Sequence, residues 1–450
     1  MSAELDVAVV GAGIAGLSLA HELRGSGRSV QVFESAQHVG GRMASVRHEG
    51  YTIDTGAEQV PTHGYDATWR LLAEVGIGRA EVPLIGKGIG VWRDGRARAG
   101  VADPRGLLTG AGLSRRARLD LLRFCVSTAA RKRSFDPDHP ERTPLGVATV
   151  ADLAHRYHPE LGRYLFEPIV SGFFGWHPAR SAAAPFVSLL AAVGTASTWR
   201  TYRDGMDTLA RGLARRAEVT TGLAVREVHA GPDSVLLCTD RGELTARQVV
   251  LCVPAPVARR IYVNPPADEA RHLAACTFTP MLKVSCLLDR PLGPAAAREL
   301  YALLIPEVED AALAAVVVDH AKHPGRAPDG RGLLTLIAQP RQTRELLDAP
   351  DDAARGLIGR AERYVPGIVA ATRASLVHRF RDGLPEVTPA ALAGRAAFMR
   401  RPPRTVDYAG DWVMLRPSSE GAVRAAVLAA RRIALSGAPS RRTDLDGVRS

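Results

Sequence analysis

The stretch Asp6-Val7-Ala8-Val9-Val10-Gly11-Ala12-Gly13-Ile14-Ala15-Gly16 decides the fold. Its short β-branched apolar run has the pattern of a strand buried in a parallel sheet, and it leads directly into G-x-G-x-x-G. Leu17, Ala20 and Leu23 then recur at helical spacing up to Gly25-Ser26-Gly27, and Val30-Gln31-Val32-Phe33 forms a second apolar strand ending in Glu34. Strand, glycine turn, helix, strand and acid in this order make a dinucleotide-binding unit. Gly11 permits the tight turn, Gly13 lets the backbone approach a pyrophosphate, and Gly16 lets helix and strand pack closely. The helix start at Ile14 and Ala15 offers its free amides to the anion. Glu34, 23 positions after Gly11, stands with Ser35 where an adenosine ribose is held.

Past Glu34 come Val39-Gly40-Gly41-Arg42-Met43-Ala44-Ser45 and Gly50-Tyr51-Thr52-Ile53-Asp54-Thr55-Gly56-Ala57-Glu58. Two glycines free the backbone for close approach, and a guanidinium supplies paired, charge-assisted donors to phosphate oxygens. The run V-F-E followed by G-G-R-x-x-S and then G-x-x-x-D-x-G-A-E resembles the flavin-containing amine oxidase superfamily. That group includes monoamine and polyamine oxidases, protoporphyrinogen oxidase, phytoene desaturase and hydroxysqualene dehydroxylase. The resemblance implies FAD as cofactor. It puts Gly41 and Arg42 at the pyrophosphate and Gly56, Ala57 and Gln59 along the flavin.

The resemblance continues at the other end of the chain. Tyr408-Ala409-Gly410-Asp411-Trp412 precedes Ser418-Ser419-Glu420-Gly421-Ala422-Val423-Arg424, read as strand, Gly-Asp turn and helix. It implies that Gly410 and Asp411 lie near the ribityl chain. Ala422 and Val423 then open a helix aimed at the N1/C2=O side of the flavin, where a positive dipole end stabilises the negative charge of reduced flavin. A third piece, Leu223–Val228 with the alternating runs up to Val253-Pro254, reads as strands, and the resemblance implies that the Val225 backbone pairs with adenine. An NAD-dependent reading would leave the G-G-R and C-terminal G-D pieces unexplained.

These pieces predict an α/β chain with a Rossmann-type FAD-binding domain assembled from residues 1–64, 201–255 and 401–440. A discontinuous α+β substrate domain is expected from 65–200, read mostly as helices, and from 256–400, read as a second sheet with helices; 441–450 is read as a tail. Phe173, Phe174 and Trp176, in the aromatic run Phe166–Pro178, are candidates for a substrate pocket, with ordinary core packing as the alternative. The same run, and Arg203-Asp204-Gly205-Met206, resemble protoporphyrinogen oxidases and desaturases.

Lys283 is the candidate catalytic residue. Of the 58 Lys+Arg only four are lysine, Lys87, Lys132, Lys283 and Lys322, and Lys283 interrupts the apolar run Phe278–Leu288, where a charge is costly without a partner. The resemblance implies a lysine that holds water against flavin N5 and assists reaction with oxygen. The competing reading is a lysine on the solvent side of an edge strand. The stretch Leu415-Arg416-Pro417-Ser418-Ser419 lacks the tyrosine that amine oxidases place before the E-G-A helix, and no cysteine lies between 370 and 410, so the FAD is expected to be noncovalent.

The 450 residues, 46% hydrophobic and 23% charged, exclude a disordered or fibrous chain. Five scattered cysteines without a C-x-x-C pair point to neither a disulfide framework nor a metal site. The first apolar run is broken by glycines and lacks a basic lead, so no signal peptide is expected, and a cytoplasmic setting is. The net charge of +11 is concentrated in Leu113–Arg118 and Ala130–Arg133, either a solvated face or a peripheral contact with an anionic membrane; no nucleic acid is expected. Two activities follow. One is an oxidoreductase that takes a hydride from a C–N or C–C bond of a small, largely apolar metabolite and passes electrons to O2. The other is a polyprenoid or porphyrinogen desaturase at a membrane surface.

Overall fold

Residues 5–101, 110–296 and 299–436 are described by the computed structural model; the tail expected at 441–450 lies outside them. The strand Leu5–Val10 runs parallel between Gly242–Leu251 and Val30–Phe33, and Glu218–Thr220 continues the parallel order beyond Val30–Phe33. Val7, Ala8 and Val9 are fully buried, as a central parallel strand covered on both faces requires. Val225–Ala230, Val235–Thr239 and Gly242–Leu251 form an antiparallel meander, and Val406–Tyr408 returns from the far end of the chain to pair in parallel with Gly242–Leu251. This eight-stranded sheet is closed at one edge by Tyr262–Val263, two residues from the stretch expected to serve the second domain.

The helix Ile14–Glu22 is buried along its first seven residues, wedged between this sheet and the helix Ser419–Ser436. Its sequence is apolar nearly all round, which suits an enclosed helix better than a surface one.

A second sheet of seven strands has the order Thr372–Glu386, Thr277–Leu288, Gly332–Ala338, Leu313–Val318, Leu300–Leu304, Gly88–Arg93, Arg96–Val101. The last two come from 65–200, a stretch that is otherwise largely helical as expected, and extend the second sheet beyond 256–400. They form a hairpin across Asp94-Gly95, whose φ values of 51° and 72° fit a two-residue turn with both central residues left-handed. The alternation Arg96-Ala97-Arg98-Ala99 has a strand period, which the general abundance of arginine masks. The rest of 110–200 is largely helical, including Arg115–Ala130, Glu167–Phe174 and Ala183–Val193.

A small hairpin, Ser45–His48 with Tyr51–Asp54, joins the two sheets. Tyr51 and Ile53 pack with Leu287 and Leu333 of the second sheet, and the Tyr51 hydroxyl donates to the Leu288 carbonyl at 3.1 Å. The D-x-G-A-E segment that follows therefore leaves the first sheet's turn and is held against the second.

Candidate active site

The glycine turn separates glycines needed by the chain itself from one that is not. Gly11 has φ 105°, and a Cβ on Gly16 would fall 1.9 Å from the Gly11 carbonyl oxygen, so neither tolerates a side chain. A Cβ on Gly13 would meet nothing within 4 Å. Gly41 lies opposite it, its own Cβ position 3.5 Å from the Gly13 Cα. Gly13 thus borders open space at a helix N-terminus with Gly41 packed beside it, an arrangement that can cradle a phosphate-bearing group. Glu34 stands at its rim, accepting from the Ala12 N–H at 2.8 Å and, through its other oxygen, from the Ala36 N–H at 2.9 Å and the Ser35 hydroxyl at 3.2 Å. Ile14 and Ala15 are buried behind the cradle, and Val225 is half-buried at the start of its strand.

Arg42 and Asp411, distant in sequence, meet in a bidentate pair with both N–H···O distances 2.8 Å. Arg42 also donates to the Gly383 carbonyl at 3.3 Å and lies over the Phe278 ring. Gly56 sits directly under it, where a Cβ would be 2.1 Å from the Arg42 carbonyl oxygen, and the Ala57 N–H donates to that same oxygen at 3.0 Å. The Gln59 Oε1 is buried without a partner among the described residues. Gly410 turns the chain into Asp411. The helix carrying Ala422 and Val423 is capped by Ser418, whose hydroxyl accepts from the Gly421 N–H at 3.1 Å. Glu420 faces away from this cleft and caps a neighbouring helix, accepting from the Ala67 and Thr68 N–H groups at 3.1 and 2.8 Å.

Lys283 is 0% exposed on a strand paired on both sides, which overturns the solvent-side alternative. Its ammonium donates to the Gly56 carbonyl at 2.8 Å, the Asp54 carbonyl at 3.3 Å and the Glu58 carboxylate. Lys283 thus reaches the segment expected to line the flavin. In the sheet it belongs to a row that runs from His378 through Lys283, Ile337, Ala315 and Leu304 to Val91. Beyond the lysine this row is apolar. The helix Glu167–Phe174 packs on it, with Gly172 against Leu304 and Ala315, and this brings Phe173 and Phe174 to the same side. Trp176 is fully buried, stacks on Phe174 at 4.9 Å and donates its N–H to the Pro385 carbonyl at 2.8 Å.

Sequence reasoning missed the groups behind Lys283. Lys322 bonds the other Glu58 oxygen and Asp319 at 2.7 Å; Arg326 bonds Asp54 at 2.9 Å and the Thr201 hydroxyl at 2.8 Å. Oxygens of Asp54, Glu58 and Asp319 lie within 4.8 Å of one another, a spacing a metal ion would accept, but here ammonium and guanidinium groups balance them. Burial opposes charge on Asp54, yet Arg326 and Lys322 hold its carboxyl below the usual range. Burial likewise opposes charge on Lys322, which Asp319, Glu58 and Asp54 hold above the usual lysine range. The signal that could have found Lys322 was the scarcity of lysine; Arg326, one of many arginines, carried none.

Residues 14–434 match the family described as flavin containing amine oxidoreductase. The chain belongs to that family. Curated relatives match over shorter stretches. The candidate flavin-containing monoamine oxidase AofH of Mycobacterium tuberculosis is 42% identical over 96 residues, 21% of this chain and 20% of its own length. The mitochondrial protoporphyrinogen oxidase of Nicotiana tabacum is 29% identical over 174 residues, 38% of this chain and 33% of its own. The matched parts thus span about a fifth to a third of these relatives. Among solved structures, cyclohexylamine oxidase from Brevibacterium oxydans superposes with a TM-score of 0.75 at 20% identity, covering 96% of this chain and 99% of its own; at that identity the likeness is one of fold. Membership in the family implies a flavin, and the open cradle at Gly13 and the unpartnered Gln59 oxygen fit one.

Proposed function

We propose that this chain binds FAD noncovalently and takes a hydride from a C–N or C–C bond of a small, largely apolar metabolite, with O2 reoxidising the cofactor. The observation that carries this reading is the row on the second sheet in which apolar residues end at a buried lysine touching the Gly56 carbonyl. In this reading 1–64, 201–255 and 401–440 hold the cofactor, and 65–200 with 256–400 shape the substrate side. When bound, FAD supplies the hydride acceptor and carries the electrons.

The chain's own residues bind, orient and shield. Glu34 receives the ribose, the Gly13 and Gly41 backbones and Arg42 receive the pyrophosphate, and Asp411 holds the Arg42 fork while facing the ribityl chain. The helix Ser419–Ser436, with Ala422 and Val423 near its start, would turn its positive end to the flavin. Ile337, Phe173 and Phe174 would border an apolar substrate and exclude water, with Leu304 and Ala315 packed under the helix Glu167–Phe174 and Trp176 stacked on Phe174. Lys283 places a fixed positive charge where negative charge develops.

The test is anaerobic mixing with amines and amino acids, set beside a porphyrinogen and squalene-type compounds. Bleaching by an amine, with peroxide on admission of air, is expected; no bleaching by any amine would overturn the first reading. Denaturation should release FAD, and flavin that stays with the polypeptide would contradict noncovalent binding.

A second reading, a polyprenoid or porphyrinogen desaturase at a membrane surface, is favoured by the helix Arg115–Ala130. It exposes Leu119, Leu122 and Val126 at 68%, 53% and 59% beside the exposed Arg115, Arg116 and Arg123, the make-up of an interfacial helix. No helix among the described residues is long and apolar enough to cross a membrane. Flotation with anionic vesicles, and bleaching only by the large apolar compounds, would favour this reading.

A further inference from the structure

We infer that Glu58 is the positioning residue that keeps Lys283 charged and fixed beside the flavin-lining segment, with Lys322 and Asp319 holding Glu58 in place. The inference rests on Lys283 acting there as proposed above.

The Lys283 ammonium has three hydrogens to place. They go to the Asp54 carbonyl, the Gly56 carbonyl and the Glu58 carboxylate, so Lys283 has no free donor and little freedom to move. Three acceptors around one point suit an ammonium better than the planar fork of arginine. This explains why a chain with 54 arginines among 58 cations writes lysine here. Glu58 is the carboxylate that Lys283 reaches. Asp54 offers it only a carbonyl; the Asp54 Oδ1 takes the Ser45 hydroxyl at 2.7 Å, the Met206 N–H at 2.9 Å and Arg326, and its Oδ2 is ion-paired with Arg326 at 2.9 Å and Lys322 at 3.6 Å.

Glu58 is held in turn. Its second oxygen bonds Lys322, which is itself fixed by Asp319, and Asp319 accepts from the Thr335 hydroxyl at 2.7 Å. Lys283, Lys322 and Arg326 balance Asp54, Glu58 and Asp319, so this set is neutral as a whole and each buried charge has a partner. Two further titratable groups face it. His378, paired with Lys283 from the neighbouring strand, is pushed down to about 4 by burial and by Lys283. Tyr301 is pushed well above its usual range by burial and by Glu58. Both are neutral around pH 7 and add no charge. Without the Glu58 carboxylate, Lys283 would share a dry interior with a second ammonium and only carbonyl dipoles for company, and the neutral amine would gain.

The four lysines make a direct test practical. Holoprotein labelled at lysine 13Cε should give four side-chain signals, with Lys283 assigned by its loss in Lys283→Met. In Glu58→Gln the Lys283 signal should move to its neutral position at a lower pH than in the wild-type chain. In Glu58→Gln combined with Lys322→Met, which restores the charge balance, part of that displacement and not all of it should be recovered. Superimposable Lys283 titrations in Glu58→Gln and the wild type would overturn the inference, as would a double variant no different from Glu58→Gln. Should Glu58→Gln not fold, the double variant is read against the wild type: a smaller displacement in the same direction is expected, and none overturns it.

Reoxidation by O2 separates this inference from the reading beneath it. In Glu58→Gln the rate should fall over the pH range in which the Lys283 signal moves. A signal that moves while the rate does not would leave the Glu58 assignment standing and remove Lys283 from the oxygen reaction.

Discussion

The two sheets hold their polar chemistry by opposite means. At the end of the first sheet the cradle is made of main chain, with Gly13 facing open space, Gly41 packed against it and one carboxylate, Glu34, at the rim. Against the second sheet the chemistry sits as side-chain charge gathered round one mid-strand lysine, with the side chains of Lys283, Lys322, Arg326, Asp54, Glu58 and Asp319 at most 11% exposed. A site made of backbone tolerates variation in every side chain except its glycines. A site made of buried charge depends on each partner, because removing one leaves another uncompensated.

The largest effect expected from this contrast is at Gly16. Gly16→Ala drives a methyl to 1.9 Å from a backbone oxygen and should prevent folding, seen as loss of cooperative melting. Gly13→Ala should melt within about 0.5 kcal/mol of wild type when flavin is absent and yet retain flavin poorly. Equal flavin retention in Gly13→Ala would break the claim that the cradle is backbone.

Next comes Lys322→Met, which leaves Asp319 without its lysine and should cost about 3 to 5 kcal/mol in denaturant unfolding. Lys283→Met should cost less, since Glu58 keeps Lys322 as a partner. The reverse order would show that the charges are not organised around Glu58.

Glu167 extends the contrast to a carboxyl that has no hydrogen-bonded cation among the described residues. There it accepts from the Ser171 hydroxyl and the Glu307 N–H, and burial pushes it up to about 7. An acid raised on folding binds its proton more tightly in the folded chain than in the unfolded one. Its contribution to stability is therefore full below its ordinary value of 4.5 and lost as the pH rises through about 7. The melting temperature should decline across that window, and Glu167→Gln should flatten the decline; an unchanged slope would contradict this. The smallest effect is expected at Leu122→Asp on the exposed face of Arg115–Ala130, within about 0.5 kcal/mol in stability, with loss of any vesicle binding if the second reading holds.

The same contrast explains what was legible in the sequence. A backbone cradle leaves glycines at fixed offsets, so the turn at Gly11–Gly16, the acid at Glu34 and the pieces at Gly56 and Gly410 could be read from spacing. Lys283 stood out because lysine is rare here and its strand is apolar. Its partners did not. Asp319, Lys322 and Arg326 come from a short helix and turn between strands, and nothing local marks them as neighbours of Glu58. The hairpin at Asp94-Gly95 carried a readable turn signal that the surrounding helical pattern obscured. The pairing of Arg42 with Asp411 depends on two segments 369 residues apart that meet only in the fold.

The central claim is that Lys283, buried against the flavin-lining segment, serves the reaction with oxygen while the backbone cradle holds the cofactor. Stopped-flow reoxidation of reduced Lys283→Met in aerated buffer tests it most directly. The account predicts a protein that keeps its FAD and reoxidises at least about tenfold more slowly than wild type. Reoxidation at the wild-type rate with FAD bound would contradict it.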